Sequence, residues 1–255
     1  MIFEKCLVDS NTNISGSMYE LVLSVNEINQ FKPGQFIEVY KENCVKMFLP
    51  KPFSIYKIEN KKLSILYKIY GPGTLEMSTW KNTDQCEIWG PIGNSFTCGN
   101  DGHKALIAGG IGIPPIVALA KELNQKSSFE VFIGGRSKDE IICVEECESY
   151  GAKVHIATDD GSSGYHGLLP DLFLEHIDRF GYAYTCGPKI MEEKISNICV
   201  DKNIPCEVSM EEYMACGMGI CVGCVVAVKN NDEIEYKRLC KNGPVLMADD
   251  IIWNK

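Results

Sequence analysis

The hydrophobic rhythm of the chain changes once, near residue 100, and that change limits the fold more than any other feature. Before it, short apolar runs follow one another with turn signals between them. "MYELVLSV" (18–25) sets Tyr19, Leu21, Leu23 and Val25 in alternation. "GQFIEVY" (34–40) follows a Pro33–Gly34 turn, "FSIYKI" (53–58) and "LSILYKI" (63–69) flank the polar turn "ENKK", and "CEIWGPIG" (86–93) ends the series. This spacing predicts an antiparallel barrel or sandwich with one short helix near "TLEMSTW" (74–80).

After "CGNDGH" (98–103) strands alternate with helices. "KALIAGG", "FEVFIGG" (129–135), "KVHIATDDG" (153–161) and "YAYTCGP" (182–188) read as strands. "IPPIVALAKELNQ" (113–125), "KDEIICVEECESYG" (138–151), "GLLPDLFLEHI" (167–177) and "KIMEEKISNICVDKN" (189–203) read as helices, the first with prolines where a helix start tolerates them. The alternation predicts βαβ units and a parallel sheet. From Pro205 a third piece follows, too small to bury much core and needing something extra to hold it. The expected class is therefore multidomain α+β: an antiparallel β-barrel over 1–100, a parallel-sheet α/β domain over 101–204 and a small C-terminal module over 205–255.

The third piece carries "MACGMGICVGC" (214–224). Its cysteines are spaced Cys216-x4-Cys221-x2-Cys224, and Cys240 stands alone after fifteen further residues. Zinc sites more usually pair two short cysteine knuckles. Three thiols on one loop plus a distant fourth is the plant-type [2Fe–2S] spacing, although the gap to Cys240 is much shorter than in plant ferredoxins. Gly217, Gly219 and Gly223 let backbone N–H groups approach sulfur and offset the charge of a thiolate-bound centre. Met214, Met218, Ile220 and Val222 would shield it from water. Structural zinc and disulfides remain the alternatives at this point.

Composition narrows the rest. The 255 residues are 45% hydrophobic and 23% charged, with a net charge of −9. No Lys/Arg-rich run suggests nucleic acid. No apolar stretch of about 18 residues suggests a membrane span, and Glu4 and Asp9 interrupt the start, so no signal peptide is expected. Nine of the thirteen cysteines are scattered: Cys6, Cys44, Cys86, Cys98, Cys143, Cys147, Cys186, Cys199 and Cys206. They read as small buried hydrophobes in a reducing cytoplasm. His103, His155, His166 and His176 show no metal spacing.

Other motifs fall where phosphates and flavins bind. In "PKPFSI" (50–55), Lys51 suits a phosphate and Ser54 a ring hydrogen bond, while a plain edge strand reads equally well. "GPGT" (71–74) suits a diphosphate at a helix start, or an ordinary turn with a threonine N-cap. "AGGIGIPP" (108–115) lies between a strand and a helix without the G-x-G-x-x-G spacing. "GGRS" (134–137), with Arg136, "TDDGSSGYHG" (158–167) and "TCGP" (185–188) end the following strands. Four such loops at one edge of a parallel sheet mark a ligand crevice.

Taken in order, "KPFS", "GPGT", "GPIGNSF", "AGGIGIPP", "CGP", the cysteine loop and "LCKNGPVL" resemble the ferredoxin–NADP reductase superfamily. Within it, the chain closely resembles the electron-transfer subunits of bacterial dihydroorotate dehydrogenase B. The resemblance covers nearly the whole chain, and the C-terminal motifs are its most specific part. It implies FAD on the barrel, at Lys51, Pro52, Phe53, Ser54, Leu66, Tyr67, Lys68, Gly73 and Thr74. It implies NAD on the α/β domain, at Gly109, Gly110, Gly112, Arg136, Cys186 and Gly187. It implies a [2Fe–2S] cluster on Cys216, Cys221, Cys224 and Cys240. The family usually has arginine where this chain has Lys51, which keeps the charge and gives up the bidentate fork.

The same resemblance implies an FMN-containing dihydroorotate dehydrogenase catalytic subunit as partner, in a heterotetramer of two of each. Electrons would pass through the cluster and FAD to NAD⁺ in pyrimidine biosynthesis, with no catalytic acid or base of this chain's own. The rival of the same build is a reductase subunit of a related NAD(P)H:ferredoxin or sulfide dehydrogenase complex. A zinc-stabilised adaptor with a degenerate flavin fold is the rival of another class.

Overall fold

The computed structural model describes residues 1–98, 102–231 and 233–253. The first sheet is built from β1 (Ile2–Ser15), β2 (Met18–Ser24), β3 (Phe36–Tyr40), β4 (Lys51–Ser54), β5 (Lys57–Glu59), β6 (Lys62–Lys68) and β7 (Gln85–Ile92). Its order is β4-β3-β7-β1-β2-β6-β5, every pair antiparallel. Strand β1 bridges the sheet: Ile2–Leu7 pairs with β7 and Leu7–Ser15 with β2. Alternation sends Leu21, Leu23, Ile37, Val39, Leu63 and Ile65 into one core, as period-two strands require. The result is an antiparallel half-barrel, and no ladder joins β4 to β5 among the described residues. A short helix, α1 (Pro72–Met77), follows β6.

The run "FSIYKI" is not one strand. Residues 51–54 pair with β3, whereas 57–59 turn back onto β6. Ile55 and Tyr56 make the corner, and their N–H groups reach the carbonyls of Gln35 and Ser64.

The second sheet holds β8 (Lys104–Gly109), β9 (Phe129–Gly135), β10 (Lys153–Thr158), β11 (Tyr165–His166), β12 (Tyr182–Cys186), β13 (Cys206–Ser209) and β16 (Val245–Met247). The order is β11-β10-β9-β8-β12-β13-β16, parallel except for β16. Helices cover both faces. On one lie α2 (Ile113–Leu123) and α3 (Val144–Ser149), on the other α4 (Leu169–Leu174) and α5 (Lys189–Asp201). Coverage on both faces explains why β8 is buried at every position. The helix expected over 138–151 is shorter, a single 3-10 turn at Lys138–Glu140 followed by α3.

The boundary expected at 100/101 lies outside the described residues. The expected division at 204/205 falls just before β13, which hydrogen-bonds into the parallel sheet beside β12. Beyond it come the cysteine loop, the ribbon β14 (Val225–Asn230) and β15 (Glu233–Arg238), and the short helix α6 (Leu239–Asn242). Cys224, Val226, Leu239 and Cys240 share one core with Phe36 and Trp89 of the half-barrel and Ala183 and Val208 of the parallel sheet. No helix among the described residues is long and apolar enough to cross a membrane.

Candidate functional site

A cavity of about 910 Å³ opens along the half-barrel. It is lined by Lys51, Pro52, Phe53, Ser54, Leu66, Tyr67, Lys68 and Thr74. The lining residues run consecutively through all of β4 and the C-terminal end of β6, so both strands meet the cavity with their backbone edges as well as one face. Gly73 lies behind Lys51, and a Cβ there would stand 2.9 Å from Lys51 Cε. Tyr67 meets Phe53 edge to face and donates to Asn11 Oδ1 at 3.0 Å. Thr74 occupies the third helical position of α1, not its N-cap: Tyr70 and Gly71 donate their N–H groups to its hydroxyl at 2.9 and 3.2 Å. Gly71 takes the N-cap.

A second cavity, of about 350 Å³, lies at the C-terminal edge of the parallel sheet. Gly109, Gly110, Gly112, Gly134, Arg136, Asp159 and Gly187 line it. The Cys186 side chain is buried behind this wall, and burial holds its thiol well above the usual range. Gly112 admits no side chain, since a Cβ would collide with the Cys186 carbonyl. Glu192, from the first turn of α5, accepts the Gly187 N–H at 2.9 Å.

The two cavities meet at Lys68, Tyr70, Ile111 and Glu211. Lys68 pairs there with Glu140, which also accepts the Arg136 N–H at 3.1 Å. Burial opposes ionisation of Glu140, but these partners outweigh it and hold the carboxyl below its usual range. Desolvation raises the Glu211 carboxyl. Of the histidines, His103 and His155 bond Glu130, away from both cavities.

The cysteine loop packs on β3 and β7 of the half-barrel, where Gly217 meets Glu38 and Trp89. Cys224 Sγ and Cys240 Sγ are 3.3 Å apart, and Cys216 Sγ accepts N–H groups from Met218 at 3.4 Å and Cys221 at 3.5 Å. Burial pushes the Cys216 thiol up, but the N–H groups of Cys221, Met218 and Ile220 outweigh that and lower it to about 6. Burial, and then the Cys224 thiol beside it, pushes Cys240 up to about 12. Among the described residues no three His, Cys, Asp or Glu converge as a single-ion site. Two thiol pairs instead suit a centre of two irons with two thiolates each.

Two of the three expected glycine donors are in place: Gly223 gives its N–H to Cys221 Sγ, at 3.5 Å, and Gly219 gives its N–H to Cys240, while the N–H groups on Cys216 come from Cys221, Met218 and Ile220. Gly217, at φ +61°, presses instead against Glu38 and Trp89. Met214 packs on the core, whereas Ile220 is 76% exposed and Val222 52% exposed, so these two form a rim and not a shield.

"GPIGNSF" and "CKNGPV" prove to be partners. Asn94 Nδ2 donates to the Val245 carbonyl at 2.8 Å, and Val245 N–H donates to Asn94 Oδ1 at 2.9 Å. The end of β7 thereby fixes the segment that follows Cys240. The sequence reasoning missed Glu38, Asn94, Glu140, Glu192 and Glu211 as site components; only Asn94, inside "GPIGNSF", sat in a motif already singled out.

Residues 211–252 match the family model for the iron–sulfur cluster binding domain of dihydroorotate dehydrogenase B, and 106–197 match that of the oxidoreductase NAD-binding domain. The electron transfer subunit of dihydroorotate dehydrogenase B (NAD(+)) from Desulforamulus reducens is 39% identical over 87% of both chains. That from Caldanaerobacter subterraneus subsp. tengcongensis is 35% identical over 98% of both. Among solved structures, an NADH-dependent reduced ferredoxin-NADP oxidoreductase superposes with a TM-score of 0.87 at 24% identity, covering 97% of this chain and 90% of its own. The fold is that of the ferredoxin–NADP reductases, and the chain belongs to the family of dihydroorotate dehydrogenase B electron transfer subunits.

Proposed function

We propose that this chain carries electrons from a dihydroorotate-oxidising catalytic subunit to NAD⁺, holding a [2Fe–2S] cluster on Cys216, Cys221, Cys224 and Cys240. The observation that carries the reading is that Cys224 pairs with Cys240 and Cys216 with Cys221, on a loop packed against the half-barrel that holds the large cavity. FAD is assigned to that cavity, with Lys51 facing its phosphates, Ser54 its ring, and Phe53 and Tyr67 its apolar walls. NAD is assigned to the glycine-lined cavity, with Gly109, Gly110 and Gly112 at the α2 N-terminus, Arg136 and Gly187 around it, and Cys186 supporting Gly187 from behind.

The bound groups divide the chemistry, since nicotinamide takes a hydride, iron–sulfur takes single electrons and flavin does both. The chain's own residues bind, orient and exclude water. Lys68 and Tyr70 stand where the two cavities meet, so they set how closely the two ligands approach. No acid–base pair is required of this chain. Oxidation of dihydroorotate on the partner releases two electrons and two protons; NAD⁺ takes both electrons and one proton, and the other proton goes to solvent.

The partner is assigned as an FMN-containing subunit, in a heterotetramer of two of each, in the cytoplasm. Met218, Ile220 and Val222 form its docking rim. Anaerobically purified protein should show flavin and [2Fe–2S] absorption and a reduced-state EPR signal. With the FMN subunit added, dihydroorotate should reduce NAD⁺, and neither subunit alone should do so. A colourless protein with one zinc would end this reading, and a complex indifferent to dihydroorotate would favour the related reductases. Met218→Glu should weaken association with the FMN subunit, read by gel filtration, while iron content holds. Iron loss preceding any loss of association would remove the rim from the interface.

A further inference from the structure

Beneath the cysteine loop two buried polar side chains lack partners. Glu38 is 0% exposed, and neither carboxyl oxygen is hydrogen-bonded. Trp89 is 8% exposed, with no acceptor for its indole N–H. Buried polar groups are nearly always paired, and an unpaired one costs on the order of 1–3 kcal/mol. Two orphans side by side therefore point to a missing contact and not to chance.

Strand pairing places them together. Glu38 on β3 lies opposite Trp89 on β7, and opposite Pro52 on its other side. Both then meet one point on the cysteine loop. A Cβ on Gly217 would stand 3.0 Å from Glu38 Oε1 and 3.1 Å from Trp89 Nε1. Gly217 directly follows Cys216. Phe3 closes the outer side by stacking on Trp89, with ring centroids 5.5 Å apart.

The same two residues stand between the two assigned cofactor sites. Phe36, two positions before Glu38 on the same face of β3, lines the flavin cavity. On its other side Glu38 pairs with Pro52, which lines the same cavity.

We propose that Glu38 and Trp89 are positioning residues for the iron–sulfur centre: their free polar atoms hydrogen-bond the Cys216–Gly217 segment when the centre is loaded, and so tune its reduction potential. This rests on the cluster assignment above. The indole N–H is a donor only, and the Glu38 carboxyl and the Cys216–Gly217 segment are the acceptors beside it. The carboxyl accepts a backbone N–H on the same side. Hydrogen bonds and charge around thiolate sulfur set the potential of such centres.

The test is an EPR-monitored redox titration of the full chain as Trp89→Phe and Glu38→Gln. Trp89→Phe removes one donor and keeps an aromatic ring to stack on Phe3, so the midpoint potential should fall. Glu38→Gln puts an amide donor on the same frame and should raise it. Both variants should show shifted g-values while retaining FAD and iron. Unchanged potential and g-values in both would overturn the proposal. So would loss of iron with FAD retained, because the pair would then only build the loop. If Trp89→Phe lost FAD as well, Glu38→Gln would decide alone by the same criteria. A parent protein without a [2Fe–2S] signal would instead overturn the cluster assignment, and this proposal with it, before any variant was measured.

Discussion

Two glycine-rich regions serve this molecule in opposite ways. At the nucleotide edge, glycines let backbone press on backbone and side chain. A Cβ on Gly109 would stand 2.5 Å from Met191 Sδ, one on Gly187 would stand 3.0 Å from the Gly109 backbone, and one on Gly112 would meet the Cys186 carbonyl. The strand-end loops of β8 and β12 are interlocked by the protein alone. In the cysteine loop, Gly217 and Gly219 take φ of +61° and +80°, and non-glycine Val222 takes +59°. Its thiols meet N–H groups at 3.4–3.5 Å, and its apolar rim faces solvent. One edge is shaped before any ligand arrives, whereas the other, on the proposed cluster assignment, gains its main cohesion from what its thiolates hold.

The largest test of that contrast is Cys240→Ser. Removing one thiolate should abolish iron and acid-labile sulfide and raise hydrogen exchange across 214–224. FAD content and exchange at β8 and β12 should hold. If exchange rose equally at the nucleotide edge, the two regions would be one cooperative unit and the contrast would fail. Gly112→Ala is the converse. Its methyl has nowhere to go, so overpacking should cost about 3 kcal/mol, read as a lower urea midpoint, with NAD affinity lost before iron.

Much of this was legible in the sequence because the signals were local. Period-two and period-3.6 patterns found both sheets, and cysteine spacing needs no tertiary information. Strand β1 escaped notice because "DSNTNIS" has no apolar alternation and its register shifts between Val8 and Ser10 and again between Asn13 and Ser15. The corner at Ile55–Tyr56 hid inside an apolar run. Glu38 was misleading for a sharper reason. In "FIEVY" it alternates with Ile37 and Val39 and so reads as a solvent-facing position. In the fold that face is covered by the cysteine loop, and only the pairing of β3 with β7 brings Trp89 to it. Asn94 and Val245 lie 151 positions apart, so no local pattern could join them.

Asn94→Ala tests how far the cysteine module leans on the half-barrel. Two hydrogen bonds to Val245 are lost, and their removal should cost about 1–2 kcal/mol. Because Val245 follows the Cys240 segment, iron should be released faster to a chelator, with FAD retention unchanged. Equal release from parent and variant would show that the module holds its own shape.

The smallest effect is expected at the junction of the cavities. Glu140 belongs to the nucleotide side and Lys68 to the flavin sheet, so their ion pair ties the two without touching the cysteine loop. The folded carboxyl is held below its ordinary range, with burial opposing and Lys68 and the Arg136 N–H prevailing. A depressed folded pKa gives stability that is complete above the unfolded value of about 4.3 and fades as pH falls through the folded one. Glu140→Gln should therefore lower stability at pH 7 by on the order of 1 kcal/mol after solvent screening. The gap to the parent should close progressively below about pH 4, where the parent carboxyl also becomes neutral. Urea midpoints at the two pH values measure it, with iron content as the control. A gap that persisted in acid would mean that Glu140 acts through its shape. The tie between the cavities would then be steric, like the interlock of Gly112, and not electrostatic.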